Sequence, residues 1–434
     1  MRSFFLIITM LAAVYAQLDE SFNGKGFVVH EDAAGVGNDF GQAVTIDKKN
    51  RIVVAGFSSN RNHGLNIDMT VWRYLETGKI DTSFNNKGFL VDDNTAGGNS
   101  DEEGNAIAID HNNRIIVVGR SRNANRNDDM VIWCVKDNGK LDKSFGENGV
   151  AIHHNAAGGN LHDYGYAVAI DAQNRIVVTG ESYAAGFPPS SQMIVWRYLP
   201  NGKLDTSFGN GGWLIQGNDW DWGYGVATVG DKIIVTGKGL NPTGMYVWQF
   251  LNDGTPDPNF GEKGFVVHNI VKATDFGDEA RGITMDHSGK IVVAGRNSTF
   301  NEGRNMAVWR FNGTGTLDAS FNDKGYVSHS NAAKGNGYDT GQSVAIDSFG
   351  RIAVVGRSDG QHGNLDVVVW RYLPTGKLDT SFAEKGYIIH HSTAGGNHHD
   401  LAQAVAIDKH DRIITVGWSF NKEGNYGMTI WCHR

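Results

Sequence analysis

Short apolar runs recur along this chain in a fixed order of four, separated by polar links that carry glycine or asparagine. The first run has the form Ala-Val-Ala-Ile-Asp: Ala43–Asp47, Ala106–Asp110, Ala167–Asp171, Ser343–Asp347 and Ala404–Asp408. The second is Arg-Ile-Val-Val-Ala-Gly or a close variant: Arg51–Gly56, Arg114–Gly119, Arg175–Gly180. The third runs into a tryptophan, at Trp72, Trp133, Trp196, Trp248, Trp309, Trp370 and Trp431. The fourth follows an Asp-x-x-Phe segment and a glycine: Gly88–Asp92, Gly264–His268, Gly386–His390. These runs are rich in β-branched residues and apolar at both odd and even positions, as strands covered on two faces should be. The link between the first two, such as Asp47–Arg51, has hairpin chemistry: Asp bonds its own backbone, and Asn or Gly accepts a positive φ. No ten-residue segment has helical periodicity.

Four antiparallel strands, repeated seven times at a spacing of about 60 residues, predict an all-β fold, a seven-bladed β-propeller with four strands per blade. A row of separate sheets would leave apolar faces bare at both ends, whereas a ring leaves none. The small-residue first strand suits the crowded axis, so it should be innermost. The tryptophan strand should be third and the Gly-Phe-Val-Val-His strand outermost. The chain ends within a third strand at Trp431–Arg434 and begins with a spare outer strand within Leu18–His30. Gly26–His30 is therefore expected to pair with Met428–Cys432 and close the ring.

The remaining features refine this picture. Residues 1–16 read as a secretory signal peptide, with Arg2, an apolar stretch from Phe4 to Ala13, and small residues at the cleavage positions. That leaves 17–434 as a single propeller domain, secreted or at the cell surface, with no transmembrane segment in the mature chain. A formal net charge of −8 without a basic block argues against nucleic acid as a partner. The two cysteines, Cys134 and Cys432, both follow a repeat tryptophan. Equivalent positions in different blades lie too far apart for a disulfide, so both should be buried free thiols.

The ordered motifs Leu-Asp-x-Ser-Phe, a Gly-Val strand, Ala-Val-Ala-Ile-Asp, Arg-Ile-Val-Val-Ala-Gly and Val-Trp-Arg-Tyr resemble the delta-60 repeat family of exported, largely bacterial proteins. The resemblance covers essentially all of the mature chain. It implies a propeller-like secreted protein and brings no catalytic residues. Trp-Arg is here Trp-Cys in two copies and Trp-Gln249 in a third, so that arginine has no uniform role.

Four groups of residues are candidates for chemistry. The repeated tryptophans read as filling between blades rather than as a sugar or cofactor box. An acidic residue precedes each inner strand: Asp39, Glu102, Asp163, Asp221, Asp278, Asp339 and Asp400. As a channel-mouth ring, with Asp39, Asp163, Asp339 and Asp400 as the candidate ligands, these could bind Ca²⁺; otherwise each caps its own loop, and no cofactor is required. Histidines occur at His153–His154, His390–His391 and His398–His399. They read as solvated loop residues, with a possible metal or ligand cluster around His398, His399, Asp400 and His390. The fourth repeat lacks the Ala-Ala-Gly-Gly-Asn loop and carries Trp220 and Trp222, which read as either a stacking surface for a ligand or space-filling. Sequons stand at Asn297 and Asn312. No nucleophile elbow, phosphate loop or zinc motif is present.

The expected function is a secreted, non-catalytic propeller that binds an extracellular protein or carbohydrate. Binding is expected through the variable loops that join outer to inner strands (Glu31–Phe40, Asn155–Tyr164, Ser392–Leu401) and second to third strands (Ser58–Asp68, Ser182–Gln192, Ser419–Gly427). A metal-dependent propeller hydrolase or lactonase and a structural surface component are the alternatives.

Overall fold

The structure, a computed structural model, describes residues 18–60, 66–186, 190–217, 220–271, 277–299, 303–361 and 363–434. The expected signal peptide lies outside them. Every regular element is a strand, and the strands form seven four-stranded antiparallel sheets ringed round an axis. In blade 1 the inner strand Asp39–Ile46 pairs with Ile52–Ser59, then Ile67–Tyr74, then the outer strand Phe89–Asp92. Blades 2 to 6 repeat this order. Blade 7 takes its inner three strands from Gly395–His433 and its outer strand from Phe27–His30. The register there is Phe27 opposite Trp431 through His30 opposite Met428, as the sequence predicts. One difference is that the inner strands of blades 2, 6 and 7 run for 13 residues. Most of the expected Ser392–Leu401 loop is therefore strand, because Gly395 pairs with Asn421 before the register shifts.

The core is divided into seven apolar clusters, and each bridges two neighbouring blades, including blades 7 and 1. Each repeat tryptophan is buried against the preceding blade, as Trp133 is against Val53 and Val71. Each Asp-x-x-Phe phenylalanine fills the next gap, as Phe84 does in that same cluster. Burial of this kind is the main driving force for ring closure.

Above Phe84 lies Arg73, 4.6 Å from the ring centroid, with its Nε 2.8 Å from Asp81. Its Nη1 donates to the Asp137 carbonyl of blade 2 at 2.6 Å. Arg310 spans blades 5 and 6 in the same way, to the Pro374 carbonyl. Where the arginine is replaced by Cys134 or Cys432, the hairpin arginine takes over. Arg114 reaches Pro200 O at 2.6 Å and Arg412 reaches Glu76 O at 2.8 Å. Both thiols are free and buried, and burial pushes their pKa up to about 12. At Gln249 neither substitute exists: the amide stops at Asp257, 2.7 Å away. A cavity of about 560 Å³, lined by Val229, Ile234, Leu251, Met285 and Ile291, remains between blades 4 and 5.

Candidate functional site

The two rims of the ring are built differently. One carries the Asp-x-x-Asn/Gly-Arg hairpins and the Gly-Lys-Leu-Asp turns. The other carries the variable loops, and on it each inner strand has the buried acidic residue at, within or just before its start, two residues ahead of a bulge. In blade 1 the register slips between Gly41 and Ala43, leaving Gln42 unpaired. All seven blades slip at the same place. The bulge accounts for the glycine that ends the second-strand motif. A Cβ at Gly56 would stand 1.9 Å from Phe40 O, and one at Gly180 would stand 1.7 Å from Tyr164 O.

A bulge re-aims one side chain, and here the re-aimed residues of neighbouring blades meet around the axis. Gln342 Nε2 donates to Gln403 Oε1 at 2.9 Å, and Gln403 Nε2 donates to Gln42 Oε1 at 3.2 Å. Tyr166 and Tyr224 rings lie 5.8 Å apart, and Arg281 lies over Tyr224 at 5.5 Å. Two further positions surround this collar. One precedes the bulge: Phe40, Glu103, Tyr164, Trp222, Glu279, Thr340 and Leu401. The other faces it on the second strand: Phe57, Arg120, Glu181, Lys238, Arg296, Arg357 and Trp418. At these positions residue type changes from blade to blade inside a frame that does not.

The collar has three sectors. Blades 7 and 1 supply aromatic rings: Phe40 lies 4.8 Å from Phe57, 5.1 Å from Trp418 and 5.6 Å from Tyr426. Blades 2 and 3 supply matched charges. Arg120 pairs with Glu103 and with Asp128, which also takes Arg122 at 3.0 Å and the Tyr164 hydroxyl at 3.0 Å. Glu181 accepts from Tyr166 and Ser191, and burial lifts its pKa above the usual carboxylate range.

Blades 4 to 6 are different. Glu279 is buried with Arg281 and Arg296 each 2.6 Å away. Burial acts to raise its pKa, but Arg281, Arg296 and Lys238 hold it below the ordinary value. Lys238 and Arg357 stand in the same field, and neither side chain forms a hydrogen bond or ion pair among the described residues. Burial lowers the pKa of both, and the neighbouring arginines lower it further.

Several sequence expectations change here. The acidic residues follow the loop-capping alternative rather than that of a channel-mouth ring. Asp39, Asp163, Asp339 and Asp400 are buried and each bonds within its own loop. Ser58 donates to Asp39, Asn155 N to Asp163 at 2.6 Å, Asn331 N to Asp339, and Thr393 N to Asp400 at 3.0 Å. Among the described residues no group of three or more His, Cys, Asp or Glu side chains is placed to hold a metal ion.

The histidines are not a set of solvated loop residues either. His153 is buried 5.9 Å from Trp196 and 5.0 Å from Trp213, filling the gap to the next blade. His390 lies against Trp431, with its Nε2 2.8 Å from that of His433, a buried partner that sequence reasoning missed. His391 bonds Asp366 at 2.9 Å, His399 accepts from Leu365 N at 2.9 Å, and His398 packs 4.7 Å from Phe420. His154 is exposed. The expected cluster is therefore dispersed.

Trp220 and Trp222 do come together, 6.2 Å apart and half-buried, at the edge of the collar. Asn297 is buried and accepts from Ser328, so the folded chain does not offer it for glycosylation. Asn312 sits in a turn on the other rim. The collar positions themselves were missed. Their signal was present in the sequence, as the copy-to-copy change at the positions flanking glycine in Asp-x-Gly-x-Ala and following Val-Gly.

A family model described as a domain of unknown function (DUF5122) beta-propeller matches residues 174–208, 231–260, 288–321 and 350–382. Each segment ends on the phenylalanine of Asp-x-x-Phe, and together they support a propeller repeat family. Among solved structures, a protein of unknown function from Dyadobacter fermentans is 10% identical with a TM-score of 0.47, covering 96% of this chain and 99% of that one. An ulvan lyase of the PL25 polysaccharide lyase family, bound to a saccharide, is 11% identical with a TM-score of 0.49, covering 94% and 95%. The hydrazine synthase of Kuenenia stuttgartiensis is 10% identical with a TM-score of 0.49, covering 91% and 96%. None of these likenesses bears on chemistry. No curated protein sequence matches the chain. Among the described residues no helix is long and apolar enough to cross a membrane.

Proposed function

We propose that this chain is a secreted, non-catalytic binding propeller of the delta-60 repeat type, and that its ligand, an extracellular protein or carbohydrate, docks on the axial collar of the variable rim. Secretion rests on the N-terminal pattern of residues 1–16, and the repeat type rests on the ordered motifs.

One observation carries the binding reading. In a ring of copies, folding asks the same thing of every blade, so residues that serve the fold repeat. The three collar positions vary far more than the frame around them, with no residue type in more than three of the seven blades, yet the bulge places all of them around one axis. Individual side chains held on a rigid scaffold are what a specific binding surface needs. Its aromatic residues, Phe40, Trp418, Tyr426, Trp222 and Tyr224, offer flat contact area at a small loss of conformational freedom.

The test is a glycan and protein-partner screen of three proteins: the wild type, a Trp220→Ala/Trp222→Ala variant, and a Lys203→Ala/Lys377→Ala variant altered on the opposite rim. The tryptophan variant should lose ligands that the lysine variant keeps. The reverse result would place the binding surface on the wrong rim.

A further inference from the structure

The collar's charges are not evenly matched, and the mismatch is confined to one sector. In blades 2 and 3 each arginine has an acidic partner in contact. In blades 4 to 6, Lys238, Arg281, Arg296 and Arg357 face the single buried carboxylate Glu279, with the half-buried Asp359 also acting on Arg357. The inner-strand backbones of this sector lie close together. A Cβ on Gly225 would stand 2.8 Å from Arg281 O, and one on Gly282 would stand 2.9 Å from Ser343 Cα. The inner strands of the three blades therefore approach closely beside Arg281, and Lys238, Arg296 and Arg357 stand on the second strands next to them. Arg281 Nε is buried and has no hydrogen-bond partner.

Half-buried like charges repel more strongly than they would in water, and an unpaired buried donor is destabilising. Glu279 matches two of these cations, and among the described residues the fold supplies no ion-pair partner for Lys238 or Arg357. An anion with several acceptor oxygens would relieve it, because guanidinium groups bind carboxylate and sulfate oxygens through paired N–H donors. Aromatic faces stand beside the cations. Trp222 lies one register step before the bulge, opposite Lys238, and Tyr224 lies under Arg281. Flat rings next to anion-binding donors suit a sugar that carries an acidic group.

We propose that the sector formed by blades 4 to 6 binds an acidic saccharide, with its carboxylate or sulfate held by Lys238, Arg281, Arg296 and Arg357 and its ring seated on Trp222 and Tyr224. This rests on the reading of the collar as a binding surface and narrows it to one ligand class.

The experiment is calorimetric titration of the mature chain with five probes: a sulfated oligosaccharide, an oligogalacturonate, a neutral oligosaccharide of matched length, sodium sulfate and oligoaspartate. At least one acidic saccharide should bind, with affinity falling as salt rises. The neutral oligosaccharide should bind at least about tenfold more weakly. Lys238→Met/Arg357→Met should weaken the acidic saccharide by about tenfold or more while leaving the melting temperature unchanged or raised.

Binding of oligoaspartate without binding of either acidic saccharide would overturn the saccharide in favour of an acidic peptide. Equal affinity for sodium sulfate would reduce the site to a simple anion site and overturn the role of the rings. Neutral-ligand binding that depends on Trp220 and Trp222 but ignores the cations would overturn this inference and leave the collar as a binding surface. Binding of every ligand unaffected by any collar variant would overturn both. If the methionine variant does not fold, the salt dependence of the wild type decides: affinity for the acidic saccharide that is flat in salt overturns the proposal.

Discussion

The two rims of this ring use the same residue types to opposite ends. On the uniform rim, arginines are buried in matched pairs. Arg197 Nε lies 2.7 Å from Asp205 and Arg310 Nε 2.7 Å from Asp318, and each guanidinium covers a phenylalanine at 4.5 and 4.7 Å. The same arginines also donate to a carbonyl of the following blade. There charge acts as a clamp between blades, and where the clamp residue is lost, at Cys134 and Cys432, Arg114 and Arg412 restore it. On the variable rim, the cations of blades 4 to 6 crowd round Glu279, and Lys238 and Arg357 make no ion pair among the described residues. A buried charge with its partner belongs to the fold, whereas half-buried cations gathered in excess of their partners support the ligand site proposed above.

The comparison can be pressed first at the core. Trp309→Ala removes a fully buried ring from the interface of blades 4 and 5. It should cost about 3–5 kcal/mol in denaturant unfolding, whereas Tyr224→Ala at the collar should cost far less. Near-equal losses would mean that the collar is part of the core.

The loop-capping acids give a pH test. Burial raises the Asp39 pKa to about 7 against an ordinary value of 3.8, with Ser58 and Ala33 N partly offsetting it. The proton is therefore held more tightly in the fold than in the unfolded chain. Its stabilising effect is whole below about 3.8 and is lost as pH rises through about 7. Urea midpoints measured between about pH 4.5 and pH 8 should show Asp39→Asn losing less stability than the wild type over that interval. Identical pH profiles for the two proteins would contradict the assignment.

A smaller effect is expected at the gap in the uniform rim. Gln249→Arg extends a side chain into the 560 Å³ cavity toward the Gly313 turn of the next blade. It should raise stability by about 1 kcal/mol. A loss of stability would mean that the clamp depends on more than reach.

The fold was legible because it rests on what repeats: β-branched runs, hairpin asparagines, the tryptophan, the Asp-x-x-Phe turn, and chain ends that complement each other as third and outer strands. The site was less legible for the same reason. Looking for repetition drew attention to Asp39 and its equivalents and to the histidines, and most of these proved to be caps or gap-fillers. His153 and His390 seemed to lie in loops because the outer strand ends beside them, but the next blade covers that end. Lys238, Arg281 and Arg357 were passed over because no motif marks them, and Phe40 entered only as the end of the Glu31–Phe40 loop. Nothing in a linear pattern shows that a bulge will gather them at one axis. Only Trp220 and Trp222, which departed from the repeat conspicuously, were singled out.

The central claim is that charge on the uniform rim serves the fold, whereas the excess cations of blades 4 to 6 on the variable rim serve a ligand. Unfolding free energies of Arg197→Met and Arg357→Met, measured side by side in denaturant at neutral pH, test it most directly. Arg197→Met breaks a buried, matched pair and should lose about 3 kcal/mol. Arg357→Met removes a cation that has no partner and should unfold at the same denaturant concentration as the wild type, or higher. Equal losses in the two variants would contradict the account, because Arg357 would then be as much a part of the framework as Arg197.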